Sequence, residues 1–77
     1  MIKLKQIWLT KKVVVYKYLP WGKEDYGIIS YDLETEQPTL IKDDNQNNSE
    51  YKGKALSKIK KYHKQDNFPE EGISIWK

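Results

Sequence analysis

Residues 13–33 read VVVYKYLPWGKEDYGIISYDL, and the architecture turns on how this run divides. VVVYKYL (13–19) and YGIISYDL (26–33) are dense in β-branched and aromatic residues, which suit a pleated, half-buried surface. Between them, Leu19-Pro20-Trp21-Gly22 sets Pro second and Gly fourth, the pattern of a type I turn, and Lys23-Glu24-Asp25 lengthens the loop. Gly27 marks a bulge or a close packing contact.

Upstream, IKLKQIWL (2–9) alternates loosely, and Thr10-Lys11-Lys12 interrupts it, so a first strand precedes the hairpin. Downstream, Glu34-Thr35-Glu36-Gln37 is a polar turn, and Pro38 opens a short strand, TLIK (39–42), suited to a sheet edge. DDNQNNSE (43–50) is a polar loop in which Asn47 or Ser49 caps a helix, with Glu50 favourable in its first turn. Tyr51, Ala55, Leu56, Ile59, Tyr62 and His63 then fall on one arc at helical spacing. The helix is expected to stop near Asp66–Asn67, with Asn67 in the left-handed position and Pro69 beyond. Glu70-Glu71-Gly72 makes a turn, and ISIW (73–76) reads as a last strand.

The result is a single α+β domain over residues 1–77: an antiparallel β-meander of four strands, one amphipathic helix packed on one face, and a short C-terminal fifth strand (β-β-β-β-α-β). Strand 5 runs antiparallel to strand 1. Pairing those two keeps the sheet antiparallel throughout, in the order 5-1-2-3-4, whereas pairing 5 with 4 would create a parallel βαβ unit.

The runs EDYGIISYDLET (24–35) and GKALSKIKKYHKQDNFPEEGISIW (53–76) resemble parts of short uncharacterised proteins of low-GC Gram-positive bacteria and their mobile elements. The resemblance covers most of the chain and implies a small α+β domain. Its motifs are structural, and it implies no activity and no functional residue.

Composition narrows the function classes. Without cysteine there is no disulfide framework, zinc ribbon or thiol chemistry, and the chain fits a reducing compartment. The N-terminus lacks the apolar run of a signal peptide, and no segment approaches the roughly 20 apolar residues of a membrane span. A cytoplasmic location is the default expectation. All fourteen basic residues are lysine. Lysine binds phosphate as a point charge but lacks the planar fork that reads bases. The net charge of +3 is also segregated: residues 24–50 hold eight acids against Lys42 alone, between lysine blocks at 1–23 and 51–64. Blocks of opposite sign complement one another within a domain, which weakens the inference from a basic run to an anionic partner.

Catalytic constellations are missing from the sequence pattern. Ser57 lies about 120° around the helix from His63, the one histidine, which reads as a boundary residue of the core. The acid pairs Glu24-Asp25, Asp43-Asp44 and Glu70-Glu71 are sequence neighbours in turns. Asp43, Asn45 and Asn47 match alternate positions of a calcium loop, but Asn48 stands where Gly is needed and Lys54 where Glu is needed. No enzyme, metal or cofactor is implied.

Strands 1 to 3 are apolar on both faces, and one helix covers only one. The uncovered face is therefore expected to expose aromatics, and Tyr16, Tyr18 and Tyr26, or Trp21 at the hairpin tip, are the candidate residues for binding another protein or a second copy. The alternative is sequence-independent nucleic-acid binding, in which sheet aromatics stack bases and Lys54, Lys58, Lys61 and Lys64 contact phosphates. That lysine stripe is equally what a solvated helix back looks like.

Overall fold

Val14, Tyr16 and Tyr18 are fully buried, while Val13, Val15, Lys17 and Leu19 between them are half-buried. This two-residue period makes Val13–Pro20 a strand with one face against the core and one left open. The computed structural model describes residues 1–45 and 50–75. Its elements are β1 (Ile2–Leu9), β2 (Val13–Pro20), β3 (Gly27–Asp32), β4 (Pro38–Lys42), α1 (Glu50–Lys64) and β5 (Glu71–Ser74). They form an α+β unit, an antiparallel five-stranded sheet in the order β4-β3-β2-β1-β5 with α1 packed on one side, as expected from the strand directions.

The covered side holds Ile2 and Leu4 of β1, Val14, Tyr16 and Tyr18 of β2, and Ile29 and Tyr31 of β3. Ala55, Ile59 and Tyr62 of α1 meet them. Leu33, Tyr51, Leu56 and Phe68 seal the margins. Aromatics supply much of this core; each buries about 150–250 Å², which lets a short chain bury enough apolar area.

Several boundaries differ from the sequence reading. The hairpin turn lies one residue later: Lys23 N–H donates to the Pro20 carbonyl at 3.1 Å, and Gly22 takes φ 76° at the third position. Pro20 itself ends β2, paired with Ile2. The helix stop is displaced as well. Asp66, not Asn67, adopts the left-handed conformation (φ 50°), while its N–H bonds the His63 carbonyl and Asn67 N–H bonds that of Tyr62. Those two bonds satisfy carbonyls left open at the helix end. β5 begins at Glu71, inside the expected turn, and Trp76 lies outside the described residues, as do both N-cap candidates, Asn47 and Ser49.

Gly27 is a close-packing site, with the Tyr18 ring where its β-carbon would be. The bulges fall elsewhere, at Ile7 between Gln6 and Trp8 of β1, and at Ile41 of β4 opposite Ile28/Ile29.

Candidate interaction surface

The bulge at Ile7 determines what the open face presents. Gln6 pairs with Tyr16 on the covered side, and one extra residue then lets Trp8 pair with Val15 and Leu9 with Val14. Paired residues in an antiparallel ladder point to the same side. Trp8 therefore joins Val15, Ser30 and Thr39 on the open face. Neighbouring rows run Glu71, Lys5, Lys17 and Ile28, then Ile73, Lys3 and Leu19. Trp8 is 61% exposed and Ile73 52%, with Ile7 and Ile41, the extra bulge residues, similarly open.

This composition corrects the expectation of an aromatic open face. Tyr16 and Tyr18 are completely buried beneath α1 and offer a partner no surface. Tyr16 lies 5.7 Å from the Tyr62 ring centroid and donates its hydroxyl proton to the Pro69 carbonyl at 2.6 Å. The Tyr16 ring fills the core while its hydroxyl reaches the margin, whereas the Tyr18 hydroxyl is itself buried and its ring packs over Gly27. The open face mixes aliphatic side chains with lysines instead. Tyr26 does lie on it, half-buried, with the ammonium groups of Lys17 and Lys42 at 4.2 and 4.3 Å from its ring centroid. Lys42 also donates to the Tyr26 carbonyl at 2.8 Å. Trp21 projects from the hairpin tip with 72% of its surface exposed. Tyr26 and Trp21 are thus accessible, and Trp8 and Ile73 are among the exposed apolar residues that the sequence reading passed over.

Charge on this face is mostly positive. Lys5 and Lys17 are directly opposite each other on adjacent strands, an arrangement that costs stability. Glu71, the cross-strand neighbour of Lys5 on the other side, offsets part of it.

The helix lysines do not act as one group. Lys54, Lys58 and Lys61 line, with Ser57, Ser74 and Ile75, a cleft of about 290 Å³ between α1 and β5. Lys64 is turned away, beside Tyr31, Thr35, Glu36, Gln37 and Lys60. A progression of 100° per residue carries position 64 off the stripe. His63 closes the other margin: its ring meets Tyr31 edge-on at 5.7 Å and stacks on Phe68 at 6.2 Å, with Nδ1 3.7 Å from the Glu36 carboxylate.

Perturbed titrations mark packing and turns. Burial pushes the Tyr18 hydroxyl up to about 12, helped by the charges of Asp44 and Asp43. Burial also raises Tyr16, Tyr31 and Tyr62. The N–H groups of Thr35 and Glu34 hold the Asp32 carboxyl below the usual range. A hydrogen bond with Asp44, then the Lys52 ammonium at 3.2 Å, does the same for Asp43. Each of these shifts has a structural cause in the fold itself.

Among the described residues, no helix is long and apolar enough to cross a membrane. No family model, curated protein or solved structure matches the chain.

Proposed function

We propose that this chain is a non-enzymatic protein-interaction module that docks a partner against the open face of its sheet. The observation carrying the reading is that Trp8 and Ile73, each more than half exposed, flank a sheet face of Val15, Leu19 and Ile28 that no described element covers. Removing such apolar area from water drives association, and an exposed tryptophan is a frequent energetic anchor. Lys3, Lys5 and Lys17 on the same face favour a partner carrying carboxylates. They disfavour a second copy, whose identical lysines would oppose them.

The test compares Trp8→Ser/Lys17→Glu with wild type and with Trp21→Ser in affinity capture from the native host, with light scattering on each purified protein. The reading expects a defined partner held by wild type and Trp21→Ser and lost by the double variant. Equal capture by all three overturns it. A stable dimer that the double variant dissolves assigns the face to self-association instead.

A second reading, sequence-independent nucleic-acid binding, is favoured by the lysines that share a face with Trp8. Lysines neutralise phosphates in a salt-dependent way, and an exposed indole stacks on any base. Since Tyr26 already carries two ammonium groups, Trp8 is the stacking platform. Absence of a gel shift with single-stranded oligonucleotides at low salt dismisses this reading.

A further inference from the structure

The two edges of the sheet are built differently. β4 opens on Pro38, carries the extra residue Ile41 and ends on Lys42, all features that discourage another strand from adding. β5 has none of them. Glu71–Ser74 contains neither proline nor lysine, its register with β1 runs without a shift, and no described residue pairs with its outer side.

Hydrogen-bond parity identifies the groups this edge offers. Gln6 N–H donates to the Glu70 carbonyl at 2.8 Å. The ladder continues as Lys5 with Glu71, Leu4 with Gly72, Lys3 with Ile73 and Ile2 with Ser74. Bonded and unbonded pairs alternate in an antiparallel ladder. The backbone groups of Gly72 and Ser74 therefore turn toward β1, and those of Glu71 and Ile73 turn outward.

The surroundings select the occupant. Lys3 is the cross-strand neighbour of Ile73 on the open face, and Lys58 and Lys61 line the cleft against Ser74 and Ile75 on the helix side. Glu70 and Glu71 are confined to the start of the strand, in a cleft with Lys5. The Ser74 end is thus flanked by lysines on both faces, with exposed Ile73 and Ile75 between them. A second copy fits less well. Antiparallel pairing of β5 with itself sets Glu71 of each copy beside the Ser74 end of the other, but it also brings both helices to the same side of the joined sheet, with the Lys58–Lys61 stripes facing each other.

We propose that the outer edge of β5 is a strand-addition site for an extended acidic segment of a partner protein. The segment bonds the outward N–H and C=O groups of Glu71 and Ile73, and its carboxylates meet Lys3, Lys58 and Lys61. This mode of recognition takes affinity from main-chain bonds and specificity from alternate side chains. The inference rests on the interaction-module reading and names a partner chemistry for it.

The test uses a fluorescent octapeptide in which pairs of glutamates are separated by single valines, so that carboxylates fall on both faces of the added strand, with the same peptide carrying lysines for glutamates as control, read by anisotropy. Wild type should bind the acidic peptide and not the basic one. Ile73→Pro removes an outward N–H and no bond to β1, so it keeps the fold and should weaken binding about tenfold or more. Lys58→Glu/Lys61→Glu should weaken it as well. On wild type alone, hydrogen exchange at the Ile73 amide should slow when the acidic peptide is added, which removes dependence on any variant's folding. Equal binding of the two peptides, unchanged exchange at Ile73, or full affinity in a folded Ile73→Pro overturns the proposal. A dimer dissolved by Ile73→Pro also overturns it, in favour of a second copy. Trp8→Ser/Lys17→Glu, which tests the open face, should bind the octapeptide within a few-fold of wild type, so the two readings fail separately.

Discussion

The ring of Tyr18 occupies the space where a β-carbon on Gly27 would be, directly across the β2–β3 ladder on the covered side of the sheet. Glycine inside a strand ordinarily weakens it, so Gly27→Ala would gain stability if local conformation alone mattered. Here the methyl group meets a ring that is locked in the core. We expect Gly27→Ala to destabilise by about 1–3 kcal/mol, the usual range for overpacking. Denaturant midpoints check the sign. A double variant with Tyr18→Leu should show favourable coupling, because the smaller side chain removes the clash.

Tyr16 ties the sheet to the segment that leads into β5. Its hydroxyl donates to the Pro69 carbonyl at 2.6 Å, and Gln6 Nε2 donates to the neighbouring Phe68 carbonyl at 3.0 Å. Tyr16→Phe retains the ring and removes one donor, which leaves the carbonyl short of a partner. Chemical denaturation should report a loss of about 1–2 kcal/mol.

Stability should fall in acid through Asp32. Its carboxylate accepts the N–H groups of Glu34 at 2.8 Å and Thr35 at 3.0 Å and closes the β3–β4 turn, which lowers its pKa in the folded state. A depressed folded pKa means that the stabilisation is present above the unfolded value and is lost as pH falls through the folded one. Asp32→Ala should therefore be less stable near neutral pH and lose less on acidification. Denaturant melts at a series of pH values below about 5 measure both effects.

The alkaline limit has the opposite sign. Tyr18 in the folded chain titrates at about 12 against an ordinary 10, and Tyr16, Tyr31 and Tyr62 move the same way because burial disfavours the phenolate. Their contribution is complete below the unfolded value and disappears as pH rises through the folded one. Near-ultraviolet absorbance should show these phenolates forming together with the loss of circular dichroism, and no earlier.

Trp21, by contrast, should be nearly silent in stability. At 72% exposure its side chain has little packing to lose, so Trp21→Ser should change unfolding by no more than about 0.5 kcal/mol. A larger loss would assign the residue to the core.

Much of the architecture follows from residues read in order. The β-branched and aromatic runs of β1 to β3, the polar turn before Pro38 and the helical arc from Tyr51 to Tyr62 each carry their own period, and strand direction alone then pairs β5 with β1. What the order of residues left open is which side of each pleat the helix covers. Val14, Tyr16 and Tyr18 alternate with Val13, Val15, Lys17 and Leu19; each set holds three apolar residues, and Lys17 is the one mark of the wet side within β2. Two glycines settle it in three dimensions. Gly27 makes room for the Tyr18 ring from the sheet and Gly72 for the Tyr62 ring from the helix, so this side closes and the side carrying Val13, Val15, Lys17 and Leu19 stays open.

The candidate surface was less legible for a related reason. A single extra residue at Ile7 changes the side to which Trp8 points, and no local propensity announces a bulge whose position depends on fitting two strands together. Local sequence determined the elements of this protein, because hydrophobic period and turn chemistry act over a few neighbouring residues. Tertiary structure decided its faces and edges, because register, bulges and close packing depend on residues far apart in the chain.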